Sequence, residues 1–340
     1  MHIPDGFLDT KTIVATSLFS LIGIGRALKV LKTQMSPRKV PLMGLAAAFI
    51  FVAQMINFPV IAGTSGHLLG AVLVAVLLGP SEGILVMSVV LIVQCFLFAD
   101  GGVLALGANI FNMGIIAPVA GYSLYRLISG WIKADYGKYA AVAFAAWTST
   151  VLASVCCVGE LAWSGTARWS IGFPAMTGIH MLIGIGEALI TTFVLASIYK
   201  ARPDLRPFKD MSGDKREARP LTGVLIYGSL MLLGLVLFVL PFASRWPDGL
   251  EKVAATLGFD TKALARPMVP SPIPEYRVPG IGSLPLATAL AGVIGAILIF
   301  VVSLVLAKIL FRKSRDEPSR RKWTPGQSPE PRPPSKDHFS

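Results

Sequence analysis

The chain has 340 residues, of which 54% are hydrophobic and 15% are charged, and its mean hydropathy is +0.66. Soluble globular proteins carry about 25% charged residues, so this composition excludes an ordinary water-soluble enzyme. A formal net charge of +12 would suggest a nucleic-acid partner in a soluble protein. In a membrane protein the same excess marks the cytoplasmic loops, and no nucleic-acid partner is expected.

Nine apolar stretches follow one another along the chain, and each predicts a membrane helix. They cover residues 12–31, 41–56, 67–79, 83–98, 108–128, 139–158, 171–199, 221–240 and 284–310. A bilayer admits only helices and closed barrels, and barrel strands would alternate apolar and polar residues, which these stretches do not. The sequence therefore predicts an all-α polytopic protein embedded in a lipid bilayer.

The positions of Lys and Arg predict the orientation of the chain. If the N-terminus lies outside, 24 of the 31 basic residues fall on the cytoplasmic side, in three loops and in the C-terminal tail. Since cytoplasmic loops are enriched in Lys and Arg, the N-terminus is predicted outside and the C-terminus inside.

A polar, charged segment divides the chain into two modules. Residues 1–200 form a first module of about seven helices, and residues 201–219 form a cytoplasmic linker. The second module, residues 220–311, has two helices joined by an external loop at 241–283. The tail 312–340 is rich in Pro, Ser, Arg and Lys, which predicts a disordered cytoplasmic segment.

The first two residues form a candidate chelate for a transition metal. The N-terminus lacks the basic region of a signal peptide, so we expect Met1 to be retained with a free amine. That amine, the deprotonated His2 amide and His2 Nδ1 would close a five-membered and a six-membered ring around one ion. A second imidazole would complete a square-planar set of four nitrogens, the geometry typical of Ni(II) or Cu(II).

His67 is the best candidate for the fourth ligand. It stands after a Gly/Ser loop at the start of a short predicted helix, 67–79, with Ser65 as the expected helix cap. A helix this short would begin below the membrane surface, and its N-terminal dipole would keep the imidazole neutral. His180 is an alternative fourth ligand without this loop context, and His338 lies in the polar tail.

Further polar and small residues have candidate supporting roles. Hydrogen bonds that orient metal ligands are expected from Asp5, Asn57, Ser65, Asp100 and Asn109. Gln94 and Glu187 fit this role or equally that of interhelical hydrogen bonds. The small-residue face of Gly44, Ala47 and Ala48 would admit a partner helix or pack within the fold.

Two absent motifs restrict the class of protein. The sequence contains neither the GxxxxGK[ST] phosphate-binding loop nor the HExxH zinc motif. We therefore expect a protein without its own ATPase, and not an enzyme. The three cysteines, Cys95, Cys156 and Cys157, have no metal-binding spacing and are expected to be buried hydrophobic residues.

Several segments resemble one transporter family. Residues 1–7 (MHIPDGF), 51–70 and 94–114 are similar to the substrate-specificity component of nickel/cobalt energy-coupling-factor (ECF) transporters, written NikM or CbiM. The segment 246–251 (WPDGLE) resembles the small auxiliary component, NikN or CbiN, here fused in the same chain. The resemblance implies a metal held by Met1, His2 and His67, and a location in a prokaryotic plasma membrane.

The same resemblance implies partners and a role. The partners are a transmembrane coupling (T) component, which would meet the face around Gly44, and cytoplasmic ATPase subunits. The expected role is capture of Ni(II) or Co(II) at the outer face for ATP-driven import, the ion being cargo and not a cofactor. Pro4-Asp5-Gly6, where cobalt-type members more often have Met-Glu-Gly, favours nickel. The alternatives are a cobalt-specific component feeding cobalamin synthesis and a self-sufficient secondary metal permease.

Overall fold

The structure, a computed structural model, describes residues 1–132, 135–206 and 220–316. The described residues form eleven α-helices, supplemented by short 3₁₀ and π turns and one two-stranded hairpin. The helices are α1 (Thr10–Gln34), α2 (Lys39–Met55), α3 (Ala71–Leu78), α4 (Pro80–Phe98), α5 (Leu106–Asn109), α6 (Ala117–Trp131), α7 (Asp135–Trp163), α8 (Trp169–Ala201), α9 (Thr222–Gly234), α10 (Gly249–Leu257) and α11 (Leu284–Asp316). The strands are β1 (Phe58–Pro59) and β2 (Ser65–Gly66), which pair antiparallel. Most of the predicted linker (207–219) and of the predicted tail (317–340) lies outside the described residues.

Long apolar helices confirm the predicted all-α membrane fold. Within the described ranges, six helices are long and apolar enough to cross a bilayer. They are Thr10–Gln34, Pro80–Phe98, Tyr136–Trp163, Trp169–Ala201, Thr222–Phe242 and Leu284–Arg312. Large apolar side chains are exposed along these helices, among them Leu21 at 68% and Phe193 at 73%. In water such a surface would be unfavourable, whereas lipid covers it.

The predicted span 108–128 is longer than expected and irregular. α5 runs without a break into seven residues of wide π turns, Ile110–Ile116, and then into α6. Asn112 lies within these wide turns, and its side-chain amide donates to the Glu160 carboxylate on α7 at 2.8 Å. The predicted final span, 284–310, also extends further, to Asp316.

The helix predicted to begin at His67 begins four residues later, and that prediction is wrong in its first turn. Gly70, at φ +75°, is the residue before α3, and its left-handed backbone interrupts a helix that would start earlier. Ser65 therefore caps nothing, because it lies in β2. The eight residues of α3 rise only about 12 Å, and residues 67–70 before it belong to neither a helix nor a strand.

The two modules pack against each other along α2 and α11. A Cβ on Gly44 would lie 3.2 Å from the Phe300 ring and 3.2 Å from the Phe300 carbonyl oxygen, so the two backbones approach closely. Ala47 and Ala48 are also buried. Gly44 is thus covered by α11 of the same chain, which favours packing within the fold over contact with a partner protein.

The external loop predicted at 241–283 contains a helix that the hydropathy pattern did not reveal. α10 begins with a capping box, in which the Asp248 carboxylate accepts from the Glu251 N–H at 2.8 Å. The Glu251 carboxylate accepts from the Asp248 N–H at 2.9 Å in return. Leu250 and Val253 are buried, and α10 packs on α8. The second module therefore covers one end of the first module.

We expect Gly44→Val to destabilise the packing of α2 on α11, because the added side chain meets the Phe300 backbone. Overpacking of this kind costs about 1–3 kcal/mol. The matched control is Gly25→Val on α1, where a Cβ meets nothing within 4 Å. Thermal unfolding of the purified protein in detergent measures both. Equal transition temperatures for the two variants would contradict the packing described here.

Candidate metal site at the N-terminus

The first residues of the chain lie in the protein interior. Ile3 is fully buried, its N–H donates to Asn109 Oδ1 at 2.8 Å, and Asn109 Nδ2 donates back to the Ile3 carbonyl at 3.1 Å. The N–H of Gly102 also donates to the Ile3 carbonyl, at 2.8 Å. These three bonds position the main chain of Met1 and His2. Asn109, predicted to orient the ligands, therefore contacts the segment that carries them.

Asp5 continues this attachment on the loop before α5. Its carboxylate accepts from the backbone N–H groups of Val103 at 3.0 Å, Leu104 at 2.8 Å and Ala105 at 3.4 Å. A Cβ on Gly102 would lie 2.3 Å from the Asp5 carboxylate, so this close approach requires glycine. Asp5 contacts the loop and not the imidazoles, and it contributes to the site by holding the N-terminal segment.

The structure places His2 next to His67, as the chelate hypothesis requires. Their ring centroids are 5.6 Å apart with an angle of 32° between the planes. One ion between the rings can reach a nitrogen of each through bonds of about 2.0 Å. His67 Nδ1 lies 3.3 Å from the Leu68 carbonyl. When Nδ1–H donates to that carbonyl, Nε2 keeps its lone pair for a metal.

His2 lies between two polar side chains of the first module. Its Nε2 is 3.3 Å from Gln94 Oε1, and its Nδ1 is 3.3 Å from Asp100 Oδ1. With the Nε2 proton donated to Gln94, Nδ1 is the nitrogen available to the chelate. Asp100 then places a carboxylate beside that nitrogen. Two roles were considered for Gln94, orienting a metal ligand and bonding two helices together, and this contact supports the first.

A buried carboxylate holds the segment that carries His67. Glu187 on α8 is fully buried and accepts from the N–H groups of Leu69 at 2.5 Å and Gly70 at 2.9 Å. Gln54 Nε2 donates to the Leu69 carbonyl at 3.0 Å. Sequence reasoning did not assign Glu187 to this segment. The available signal was its position, since an ionisable residue within an apolar span is a candidate functional residue.

Ser65 and Asn57 contact the second module. The Ser65 N–H donates to the Pro247 carbonyl at 2.8 Å, and its hydroxyl donates to the Trp246 carbonyl at 2.6 Å. The Asn57 carbonyl accepts from the Ser244 N–H at 2.8 Å. Neither residue is hydrogen-bonded to an imidazole in these contacts. Both instead attach the segment before His67 to the external loop.

The second module also reaches the chelating residues themselves, which sequence reasoning missed. The Met1 ammonium donates to Asp248 Oδ2; Met1 is buried and Asp248 is partly buried. The Tyr276 hydroxyl donates to Asp100 Oδ2, whose other oxygen faces His2. The motif PDGLE was visible in the sequence, but no pattern in it relates Asp248 to a residue 247 positions earlier.

A cavity of about 20 Å³ lies between Met1, His67 and Asp248. This volume is that of about one water molecule. His180 also lines the cavity, but its Nδ1 lies 2.8 Å from the Met176 carbonyl of its own helix, and its ring packs against Gly249. Among the described residues, no three His, Cys, Asp or Glu side chains converge as a metal site. A site here thus depends on main-chain nitrogens.

Burial and neighbouring charges set the protonation of these groups, which lie outside the spanning helices. Burial lowers the pKa of His67 to about 3, and the nearby N-terminal ammonium contributes to this. Burial also lowers the pKa of His2. For Met1 burial disfavours the ammonium, but the charge and hydrogen bond of Asp248 outweigh it, so the pKa of the amine is raised. Both imidazoles are therefore neutral at pH 7, as metal ligation requires.

Comparison with known proteins identifies the family. The family model CbiM, described as "cobalt uptake substrate-specific transmembrane region", matches residues 2–205, which is more than half of the chain. The chain belongs to the CbiM family. A second model, described as the PDGLE domain, matches residues 222–312. The two matches correspond to the first module and the second module, and the chain is a multi-pass protein of a prokaryotic cell membrane.

Individual relatives show the same arrangement. The chain is 33% identical to a "putative fused nickel transport protein NikMN" of Archaeoglobus fulgidus, over 91% of this chain and 98% of the relative. It is 28% identical to a "fused nickel transport protein NikMN" of Rhodobacter capsulatus, over 88% and 95% of the two chains. A crystal structure titled as a transition metal transporter matches with a TM-score of 0.55 and 32% identity, over 60% of this chain and 94% of that one.

We expect Glu187→Gln to loosen the segment before α3, because its NH₂ group would face one of the two N–H groups from which Glu187 accepts. An unpaired buried donor costs about 1–3 kcal/mol. Amide hydrogen exchange at residues 68–71 should accelerate by about tenfold, which corresponds to about 1.4 kcal/mol. The matched control is Glu160→Gln, which changes a buried carboxylate on α7 that bonds Asn112 instead. Unchanged exchange at 68–71 in Glu187→Gln would contradict this role.

Proposed function

We propose that this protein is the metal-capture subunit of a nickel or cobalt importer. Membership in the CbiM family makes it a component of nickel/cobalt transport. The proposal adds that the ion is bound by the Met1 amine, the His2 amide nitrogen, His2 Nδ1 and one nitrogen of His67. The observation that carries it is the burial of the N-terminal residues with the two imidazoles 5.6 Å apart.

The chemistry of this donor set favours tight binding of one ion. Three of the four nitrogens belong to two consecutive residues, so little freedom is lost when they converge on one ion. All of them must lose or lack a proton to bind, and the buried imidazoles already lack one. The second side chain, His67, comes from a segment that Glu187 and Gln54 hold.

Nickel is the ion that the proposed site fits best. Four nitrogens in one plane suit Ni(II) and Cu(II) alike, and the family description and the names of relatives favour nickel or cobalt over copper. The Pro4-Asp5-Gly6 sequence also favours nickel over cobalt. Two relatives aligned over 91% and 88% of this chain are both named as nickel transport proteins. Cobalt is the second candidate, because the family description itself names cobalt uptake.

We infer that import is energised by other proteins, as in the ECF class. The chain lacks the phosphate-binding loop of ATPases, so a transmembrane coupling component and ATPase subunits would supply the energy. The distribution of Lys and Arg favours an N-terminus, with its proposed chelate, outside the cell. On this proposal residues 1–200 capture the ion, and residues 220–311 form the fused auxiliary domain with its external loop at 241–283.

The chelate predicts that one residue added before Met1 abolishes tight nickel binding, because the amine moves away from the His2 amide. His67→Ala should also weaken binding, in each case by more than the 10–100-fold typical of groups that only orient ligands. His180→Ala should stay within about tenfold, since that ring is bonded within α8. Chelator competition with purified protein measures all three. Wild-type affinity in both the extended protein and His67→Ala would disprove the site.

Dependence on partners gives a separate prediction. Lipid vesicles containing this chain alone should not accumulate nickel, with or without a proton gradient. Vesicles that also contain the coupling component and the ATPase subunits should accumulate it when ATP is supplied. Uptake of radioactive nickel distinguishes the two cases. Accumulation by the chain alone, driven by a gradient, would establish the secondary permease instead.

A further inference from the structure

The external loop of the second module is attached to every segment that carries the proposed site. Four backbone hydrogen bonds make this attachment, and each joins a loop residue to a different part of the first module. They are Ser244 N–H to the Asn57 carbonyl, Ser65 N–H to the Pro247 carbonyl, Leu264 N–H to the Asp5 carbonyl and Ile273 N–H to the Leu97 carbonyl, at 2.8, 2.8, 2.9 and 3.1 Å. Main-chain contacts of this kind fix the loop independently of its side chains.

Asp248 is held so that one of its oxygens faces the Met1 amine. Oδ1 accepts from the Glu251 N–H at 2.8 Å and caps α10, which leaves Oδ2 for Met1. The N-terminal residues of the first module and the cap of α10 therefore share one carboxylate. An amine that coordinates a metal keeps two N–H groups. The bond to Asp248 is thus compatible with metal binding and directs the amine lone pair.

Tyr276 makes a second contact between the second module and the site, by a hydrogen bond to Asp100. Glu275 and Tyr276 have φ of +52° and +57°, a left-handed conformation that costs residues other than glycine free energy. This backbone places the Tyr276 ring against Phe98, with centroids 4.7 Å apart and an interplanar angle of 19°. Its hydroxyl donates to one oxygen of Asp100, whose other oxygen lies 3.3 Å from His2 Nδ1.

We propose that the second module positions the two chelating residues: Asp248 holds the Met1 amine, and Tyr276 fixes the Asp100 carboxylate beside His2. This inference rests on the proposed function, since it assigns roles around the same chelate. It makes Asp248 and Tyr276 positioning residues, because neither is among the four proposed metal-binding groups. On this inference the auxiliary domain takes part in ion capture by positioning the residues that bind the ion.

The opposite role for Asp248 is a latch that keeps the amine away from the metal. The two roles predict opposite changes in affinity when the contact is removed. A positioning residue strengthens nickel binding, so its loss weakens binding. A latch competes with nickel, so its loss tightens binding. The affinity of suitable variants therefore separates them.

The test uses two substitutions and one matched control in the full-length chain. Asp248→Asn keeps an oxygen to cap α10 but presents an NH₂ group to the amine. Tyr276→Phe removes only the hydroxyl and keeps the ring on Phe98. The control, Glu251→Gln, removes one negative charge from the same loop and retains the acceptor for the Asp248 N–H.

Nickel binding by the purified variants, measured by chelator competition, gives the main result. We expect the Kd to rise by about 10–100-fold in Asp248→Asn and in Tyr276→Phe, and to stay within about threefold in Glu251→Gln. The absorption bands of the bound Ni(II) should shift in the two positioning variants, which a change in stability alone would not cause. A wild-type Kd, or a lower one, in either variant overturns the role of that residue.

A second measurement needs no metal. The Met1 amine should react several times faster with an amine-selective reagent in Asp248→Asn than in the wild type or Glu251→Gln, as read by mass spectrometry of the N-terminal peptide. Equal rates would overturn the contact. If the wild type itself fails to bind nickel or cobalt, the proposed function fails. If it binds and only the variants are unchanged, the positioning roles alone fail.

Discussion

The buried, charged amino terminus is the constraint on which the rest of this structure depends. An ammonium group away from water is unfavourable unless a partner of opposite charge accompanies it. Asp248 is that partner, and it comes from the second module. The hydrogen bonds of Ile3 and Asp5 then hold the following residues. The position of the N-terminus consequently involves both modules, although the proposed ligands all belong to the first.

A second constraint acts on the short chain segment before α3. A backbone that is not helical must find hydrogen-bond partners inside a membrane protein. Glu187 and Gln54 supply these partners for Leu69 and Gly70. The same bonds bring His67 beside His2. Glu187, a carboxylate in the middle of an apolar helix, thus has a structural role: it holds the segment that carries His67 into the proposed site.

Much of the fold could be predicted because lipid imposes a simple rule on sequence. Spans such as Pro80–Phe98 and Leu284–Arg312 are continuous apolar runs, and the structure confirms them. The prediction failed at His67, where an apolar pattern continued through Gly70 although the backbone there is left-handed. It also missed α10, since that helix is short and lies in a polar loop. Hydropathy reports contact with lipid and not the local backbone conformation.

The sequence by itself determined the membrane class, and it predicted the division into two modules and the candidate chelate of Met1, His2 and His67. These follow from local properties: apolar length, and the ring sizes that two consecutive residues can form around an ion. Only the tertiary structure decided that α11 covers the Gly44 face and that Asp248 and Tyr276 reach the chelating residues. Those contacts join residues up to 247 positions apart, and the packing of whole helices, rather than any local pattern, brings them together.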